Sequence, residues 1–295
     1  MKVFISSCSS YVGSYITKEF LKAGYFVLGT YRTNLKNIGK YKDHKNFRAL
    51  KLDHSYTSKI ENLNEQFDIL INSTGAFPTS ENSTEDIISA NIKIASLINL
   101  QSKFQKKIPK IIINYSSLSV YGDLRIPEIA SWTSPSPVSL YGTTKLLSEQ
   151  ILSEEIGEFI PIVNIRFPVV LGYLSHRAWL PNLRKKIVNN EYIELFNSES
   201  LYSTCTTLKA VYDFTLELIT NSPRPGIYSI PIGAKPDLSI IQIFEKLANF
   251  YNYKKAPILK SSKEPCCFLN SETAKSMGYS HPKTSTCINY WLEIK

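Results

Sequence analysis

Residues 1–24 read MKVFISSCSSYVGSYITKEFLKAG, and this stretch decides the fold. Lys2–Ser6 is short, apolar and followed by small polar residues, the pattern of a buried strand. Val12, Ile16, Phe20, Leu21 and Ala23 then keep a helical spacing until Gly24 stops the helix. The alternation continues outward. Strands are expected at Phe26–Tyr31, 47–52, 67–73, 110–115 and 160–167, and helices at 86–104 and 139–157. Strands that are apolar throughout and alternate with helices imply a parallel sheet covered on both faces. The expected class is therefore α/β, a doubly wound parallel-sheet Rossmann-type domain. The less regular second half adds helices at 179–190, 207–220, 239–251 and 271–277 and a short strand at 226–230. It is expected to supply a smaller C-terminal α/β substrate domain. The expected boundaries are 1–172 plus about 207–230 for the first part, and about 173–206 and 231–295 for the second.

The 295 residues include 34 Lys and Arg against 25 Asp and Glu, a formal net charge of +9. The lysines are dispersed, with no run longer than Arg184-Lys185-Lys186, whereas nucleic-acid binders gather charge on one element. The balance suits an enzyme acting on a small anionic molecule. No apolar run reaches the roughly 20 residues of a membrane span. Met1–Ser6 has no signal-peptide core, and the five cysteines are odd in number, so a cytoplasmic chain without disulfides is expected. Neither His176 nor His281 has a second His or Cys at ligand spacing, so no metal is assigned.

Parallel sheets of this kind bind ligands outside the carboxyl ends of their strands. The residues just after each strand are therefore the candidates. Among them, Tyr141-Gly142-Thr143-Thr144-Lys145 sets Tyr and Lys on one helix face, roughly 6 Å apart along the axis. A neighbouring ammonium favours the phenolate, which lets a tyrosine exchange a proton with a hydroxyl or carbonyl oxygen. Ser117 lies 24 residues earlier, at the end of the fifth strand, and can present its hydroxyl to the same oxygen. Alone, the Ser run also reads as a polar loop with helix caps.

Together these residues resemble the extended short-chain dehydrogenase/reductases, in the group of sugar-nucleotide epimerases, dehydratases and reductases. The likeness runs nearly end to end. It rests on the first strand–turn–helix, Asp53, Asn91, Ser-Ser-x-x-Val-Tyr-Gly before Tyr-x-x-x-Lys, Arg166 and Gly172, with Gly226-Ile227-Tyr228 and Met277-Gly278-Tyr279 near the end. The resemblance implies catalytic Ser117, Tyr141 and Lys145, with Tyr141 as general acid/base. It implies a dinucleotide held by Ser7, Ser9, Ser10, Tyr11, Val12, Gly13, Arg32, Asp53, His54, Ser73, Thr74, Gly75, Asn91 and Phe167, together with Tyr141 and Lys145. It implies a nucleotide-diphosphate sugar met by Phe77, Ser117, Ser119, Pro168 and Arg184. A homodimer is implied in the same way.

The chain also departs from the family pattern. The family's G-x-x-G-x-x-G falls on Ser7–Gly13, and only Gly13 remains. Those glycines admit the tight turn and the close approach of backbone to pyrophosphate, and a serine opposes positive φ wherever the turn needs it. The loss motivates a second alternative, a non-catalytic, dinucleotide-sensing or scaffold protein, which the intact catalytic set counts against. The second strand ends in Tyr31-Arg32-Thr33 without an acid, which suits a 2′-phosphate, so NADP is expected ahead of NAD. Leu118-Ser119 stands where the family's dehydratases carry Asp-Glu, which counts against 4,6-dehydration. The family's His-Val-Asp-Asp segment is Thr207-Leu208-Lys209-Ala210 here. The first function expected is 4-keto reduction of a nucleotide sugar, and the alternative is NAD-dependent 4-epimerisation.

Overall fold

A computed structural model describes residues 1–52, 66–78, 82–96, 98–99, 108–124, 126–154, 157–173, 175, 178–260 and 266–294. The roles expected of Asp53 and His54 lie outside the described residues, as does His176. The strands are β1 (Lys2–Ser6), β2 (Phe26–Tyr31), β3 (Phe47–Lys51), β4 (Ile69–Asn72), β5 (Ile111–Ser117), β6 (Glu128–Ile129), β7 (Pro161–Phe167), β8 (Val169–Leu171), β9 (Glu194–Phe196), β10 (Cys205–Thr207), β11 (Gly226–Pro231), β12 (Ile258–Lys260) and β13 (Phe268–Leu269).

Seven of them form one sheet in the order β11-β7-β5-β4-β1-β2-β3. Every pairing from β5 to β3 is parallel, with Val3 opposite Ile69 and Ile69 opposite Ile111. The chain runs from β1 towards β3 and then crosses to the other side of β1 to begin β4. The gap between β1 and β4 is thus the switch point at which such sheets bind ligands. Ile111, Ile112 and Ile113 are all fully buried, because β5 is covered on both faces.

The chain divides into two compact units. The first comprises Met1–Gly122, Ser134–Arg166 and Tyr212–Ile230, and the second Asp123–Thr133, Phe167–Val211 and Pro231–Lys295. These limits depart from the sequence expectation for reasons of strand pairing. β8 pairs in parallel with β10, which places 169–171 in the second unit. β6 pairs with β13 some 140 residues later, which carries 123–133 there as well. The second unit has its own core, built on the helices Trp179–Val188, Ile240–Phe250 and Thr284–Glu293 through Leu180, Leu183, Ile243, Leu247, Ile288 and Trp291. Among the described residues, no helix is long and apolar enough to cross a membrane.

A polar row interrupts the apolar face of the first unit's sheet. Ser6 Oγ donates to Asn72 Oδ1 (2.7 Å), Asn72 Nδ2 to Asn114 Oδ1 (3.0 Å), Asn114 Nδ2 to Asn164 Oδ1 (2.9 Å), and Asn164 Nδ2 to Ser229 Oγ (3.3 Å). The register makes this possible, since Ser6 lies opposite Asn72 and Asn72 opposite Asn114. Asn72, Asn114 and Asn164 are at most 1% exposed, so each amide depends on its neighbours for hydrogen bonds. Asn114→Ala removes a partner from both adjacent amides. It should lower the free energy of unfolding by about 2–4 kcal/mol, read as a lower urea midpoint at unchanged slope.

Candidate active site

The Leu140–Ser153 helix carries Tyr141 and Lys145. Ser139 caps its start, accepting from Gly142 N–H at 3.1 Å. Gly142 is required by proximity: a Cβ there would stand 2.2 Å from the Ser119 carbonyl oxygen. The helix start therefore lies directly on the turn Leu118–Tyr121 that follows β5. Ser117 caps that turn, its Oγ accepting from Ser119 N–H (3.1 Å) and donating to Ser119 Oγ (3.2 Å). The Ser119–Gly142 contact is what brings the Ser117 turn to the Tyr141 end of the helix.

Tyr141 is only 9% exposed. Phe77 stacks on its ring, with centroids 4.2 Å apart and planes at 26°. Its hydroxyl lies beside Gly75, where an added Cβ would be 3.7 Å away. Lys145 is buried at 1% exposure, and its Nζ donates to the carbonyls of Thr74 (2.9 Å) and Tyr115 (2.6 Å). Burial lowers its pKa to about 8, while the charge of Glu149 works in the opposite direction. A cation so placed is well suited to stabilise a nearby phenolate.

The segment expected as one regular helix over 86–104 begins at Thr84, capped by Ser83 and Asp86, and opens into a π turn at Ser89–Lys93. The wider turn carries Asn91, whose amide brackets Ala76 by accepting from its N–H (2.9 Å) and donating to its carbonyl (3.2 Å). Asn91 also donates to Thr144 Oγ1 on the Leu140–Ser153 helix at 2.9 Å. It thus fixes the 75–77 loop against that helix.

The turn after β1 holds the serines that replace the family glycines. Ser7 takes φ +50°, the left-handed conformation that favours glycine. It is held there by hydrogen bonds from its N–H to Thr30 Oγ1 (3.0 Å), between its Oγ and Thr74 Oγ1 (2.8 Å), and to its carbonyl from Ser10 N–H (2.9 Å) and Ser73 Oγ (3.4 Å). Ser10 caps the Tyr11–Lys22 helix, accepting from Gly13 N–H at 3.1 Å. A Cβ on Gly13 would stand 2.4 Å from Ser7 O and 2.5 Å from Ser73 Oγ, so this glycine is the one the crossing cannot replace. Cys8 lies buried against Gly29, and burial pushes its thiol up to about 12, which marks a packing role. The tight strand-to-helix crossing that a pyrophosphate needs survives, lined by hydroxyls, with Tyr11, Val12 and Gly13 opening the helix at the switch point. The residues present fit a dinucleotide.

The other expected residues are spread more widely. Arg32 directly follows β2 and is exposed, and Ser73 and Thr74 directly follow β4. Ser9 accepts from Asn37 Nδ2 through its carbonyl at 2.9 Å. Phe167 ends β7, and Pro168 joins it to β8. Within the second unit, the Arg184 guanidinium lies over the rings of Trp291 (5.1 Å) and Tyr251 (5.6 Å). Thr207, in the segment that departs from the family, caps the next helix by accepting from Ala210 N–H at 3.1 Å. The sequence reading misses Glu149 and the asparagine row. The available signals were an acid one turn beyond Lys145 and a lone Asn at the same level of three apolar strands.

A doubly wound sheet with Tyr and Lys on a helix beside strand-end serines defines a short-chain dehydrogenase/reductase architecture. The chain belongs to the NAD dependent epimerase/dehydratase family, whose model matches residues 5–216, and it is an enzyme. It is 25% identical over 255 residues to Protein CapI of Staphylococcus aureus, spanning 80% of this chain and 74% of that protein. It is 28% identical over 184 residues to the uncharacterized UDP-glucose epimerase YtcB of Bacillus subtilis, spanning 58% of this chain and 57% of that protein. A UDP-glucuronic acid 4-epimerase from Bacillus cereus, solved with NAD, matches with a TM-score of 0.80 at 19% identity, covering 100% of this chain and 97% of that one. A UDP-glucose 4-epimerase from Thermotoga maritima, solved with UDP-glucose, matches at 0.75 and 16%, covering 99% and 98%. At these identities the structural likeness is one of fold.

Two outcomes follow from the geometry. The unfolded chain holds the Lys145 proton up to about pH 10.5, whereas the native chain releases it near 8. Between those values the unfolded state binds more protons, so this group's contribution to stability rises with pH. From pH 7 to pH 10 the wild type should gain about 2 kcal/mol over Lys145→Met in urea unfolding, and equal curves would contradict the burial described. Gly142→Ala should cost about 1–3 kcal/mol in the same assay, because its methyl strikes backbone.

Proposed function

We propose that the chain interconverts nucleoside-diphosphate sugars as a 4-epimerase, working at a sugar carbinol with a bound nicotinamide dinucleotide. The observation that carries this is the buried Lys145 ammonium on the helix face of Tyr141, held by the carbonyls of Thr74 after β4 and Tyr115 on β5. Tyr141 takes the proton of the sugar hydroxyl and later returns it to the same oxygen. Lys145 favours the phenolate that this requires. Ser117, ending β5, donates a hydrogen bond to the reacting oxygen. Phe77 covers the Tyr141 ring and keeps water from it. The dinucleotide, when bound, supplies the two-electron redox chemistry that the side chains lack. Ser7, Ser10, Gly13, Ser73, Thr74 and Gly75 are the residues that would hold it.

The epimerase reading takes precedence over keto-reduction because two of the matched proteins are named 4-epimerases and one curated relative is named a UDP-glucose epimerase. Keto-reduction with NADPH stays as a second reading on one observation, the exposed Arg32 after β2 where no acid stands. UDP-glucose and UDP-glucuronic acid are the first substrates to test, followed by NMR for the 4-epimer. A 4-keto sugar nucleotide with NADPH tests the second reading. Tyr141→Phe should reduce turnover by about 10²–10⁴-fold with dinucleotide affinity unchanged. Turnover near wild type in that variant would remove Tyr141 as the acid/base.

A further inference from the structure

Glu149 lies one helical turn beyond Lys145 and is only 3% exposed. A carboxylate at that depth needs pairing and hydrogen bonds to stay ionised. Arg166 supplies two, from Nε to Oε1 (3.1 Å) and from Nη2 to Oε2 (2.7 Å). Ser116 Oγ donates to Oε1 at 2.5 Å, and Ser229 Oγ to Oε2 at 3.4 Å. Arg166 is anchored in turn, its Nη1 donating to Tyr121 OH at 2.9 Å. Side chains from β5, β7 and β11 therefore clamp one carboxylate of the catalytic helix.

A buried ion pair adds little to stability compared with well-packed apolar residues, so its presence beside the site calls for another account. Lys145 is buried, and its charge is opposed by desolvation. The titratable groups around the two residues are Tyr141 and Glu149 on the helix, Tyr115 on β5, Tyr121 on the turn after it, and Arg166 on β7. Tyr115 directs its hydroxyl to Thr215, at 2.8 Å. Glu149 is the group among them that favours the Lys145 ammonium.

We propose that Glu149, clamped by Arg166, is a positioning residue that keeps Lys145 charged and fixed between the Thr74 and Tyr115 carbonyls, and so keeps Tyr141 competent for proton transfer. The proposal rests on reading Tyr141 and Lys145 as the proton-transfer pair, and its test uses a signal that needs no substrate. The full chain is labelled with ¹³C and ¹⁵N lysine, the Lys145 resonance is assigned by its loss in Lys145→Met, and it is titrated by NMR. Glu149→Gln should lower the Lys145 midpoint by on the order of one pH unit, and Glu149→Asp should restore part of the shift. An unchanged midpoint in Glu149→Gln overturns the proposal. Because that variant strands Arg166, the double variant E149Q/R166Q is measured as well, and its midpoint should also fall. A midpoint at or above wild type there, or failure of both variants to fold, would make the pair purely structural and overturn the proposal. Turnover is read separately. Where wild type turns over a sugar nucleotide, the pH–rate profile of Glu149→Gln should move with the NMR midpoint at unchanged KM. A wild type with no turnover counts against the epimerase reading and leaves the NMR result standing.

Discussion

One ammonium group joins the parts of this site. Lys145 Nζ reaches two backbone carbonyls, Thr74 after β4 and Tyr115 on β5, and it does so in the absence of solvent. Carbonyls at strand ends are normally satisfied by water or by a following turn. Here a helix supplies the donor, so the spacing between the β4 and β5 ends and the height of the helix are set together. Tyr141 sits one turn earlier on the same helix, and its position follows from that anchoring. The close contact of Gly142 with Ser119 fixes the helix a second time, at its first turn. A helix pinned at two points can hold a phenol oxygen to the tolerance that proton transfer requires.

The sheet was largely legible in the sequence because its strands are buried on both faces. Lys2–Ser6 and Phe26–Tyr31 match the observed strands end for end, and 160–167 differs from β7 by one residue. Such strands are runs of apolar residues with polar ends, a signal that is local. The elements that escaped were those whose reason is distant. β6 and β13 have two residues each, and they exist because they find one another across the chain. β8 reads locally as a continuation of β7 for the same reason, since its partner β10 lies more than thirty residues away. The π turn at Ser89–Lys93 was also invisible, because apolar spacing in that region fits a regular helix.

The site was legible where chemistry fixes a spacing, and illegible where packing supplies the reason. Tyr141 and Lys145 announce themselves at i and i+4. A serine at position 7 is a poor fit for positive φ, and it adopts that conformation because its hydrogen bonds to Thr30, Thr74, Ser10 and Ser73 over-determine it. Arg166 is visible in the sequence only as one position of a resemblance, and nothing in the sequence singles out its partner Glu149. No local pattern says that a strand arginine and a helix glutamate will meet.

The row of amides across the sheet has a sense of direction. Every link donates the same way, from Ser6 through Asn72, Asn114 and Asn164 to Ser229, which donates to Glu149. An amide side chain can face either way, and a row of neutral groups has two orientations of similar energy. Both ends break that symmetry: Thr74 N–H donates to Asn72 Oδ1 (3.2 Å) at the start of the row, and the Glu149 carboxylate at its end accepts only. Each dipole then points its positive end towards the same anion, and aligned dipoles reinforce one another. Side chains from five strands thus share one polarity, which runs across the sheet and ends on a carboxylate of the Leu140–Ser153 helix.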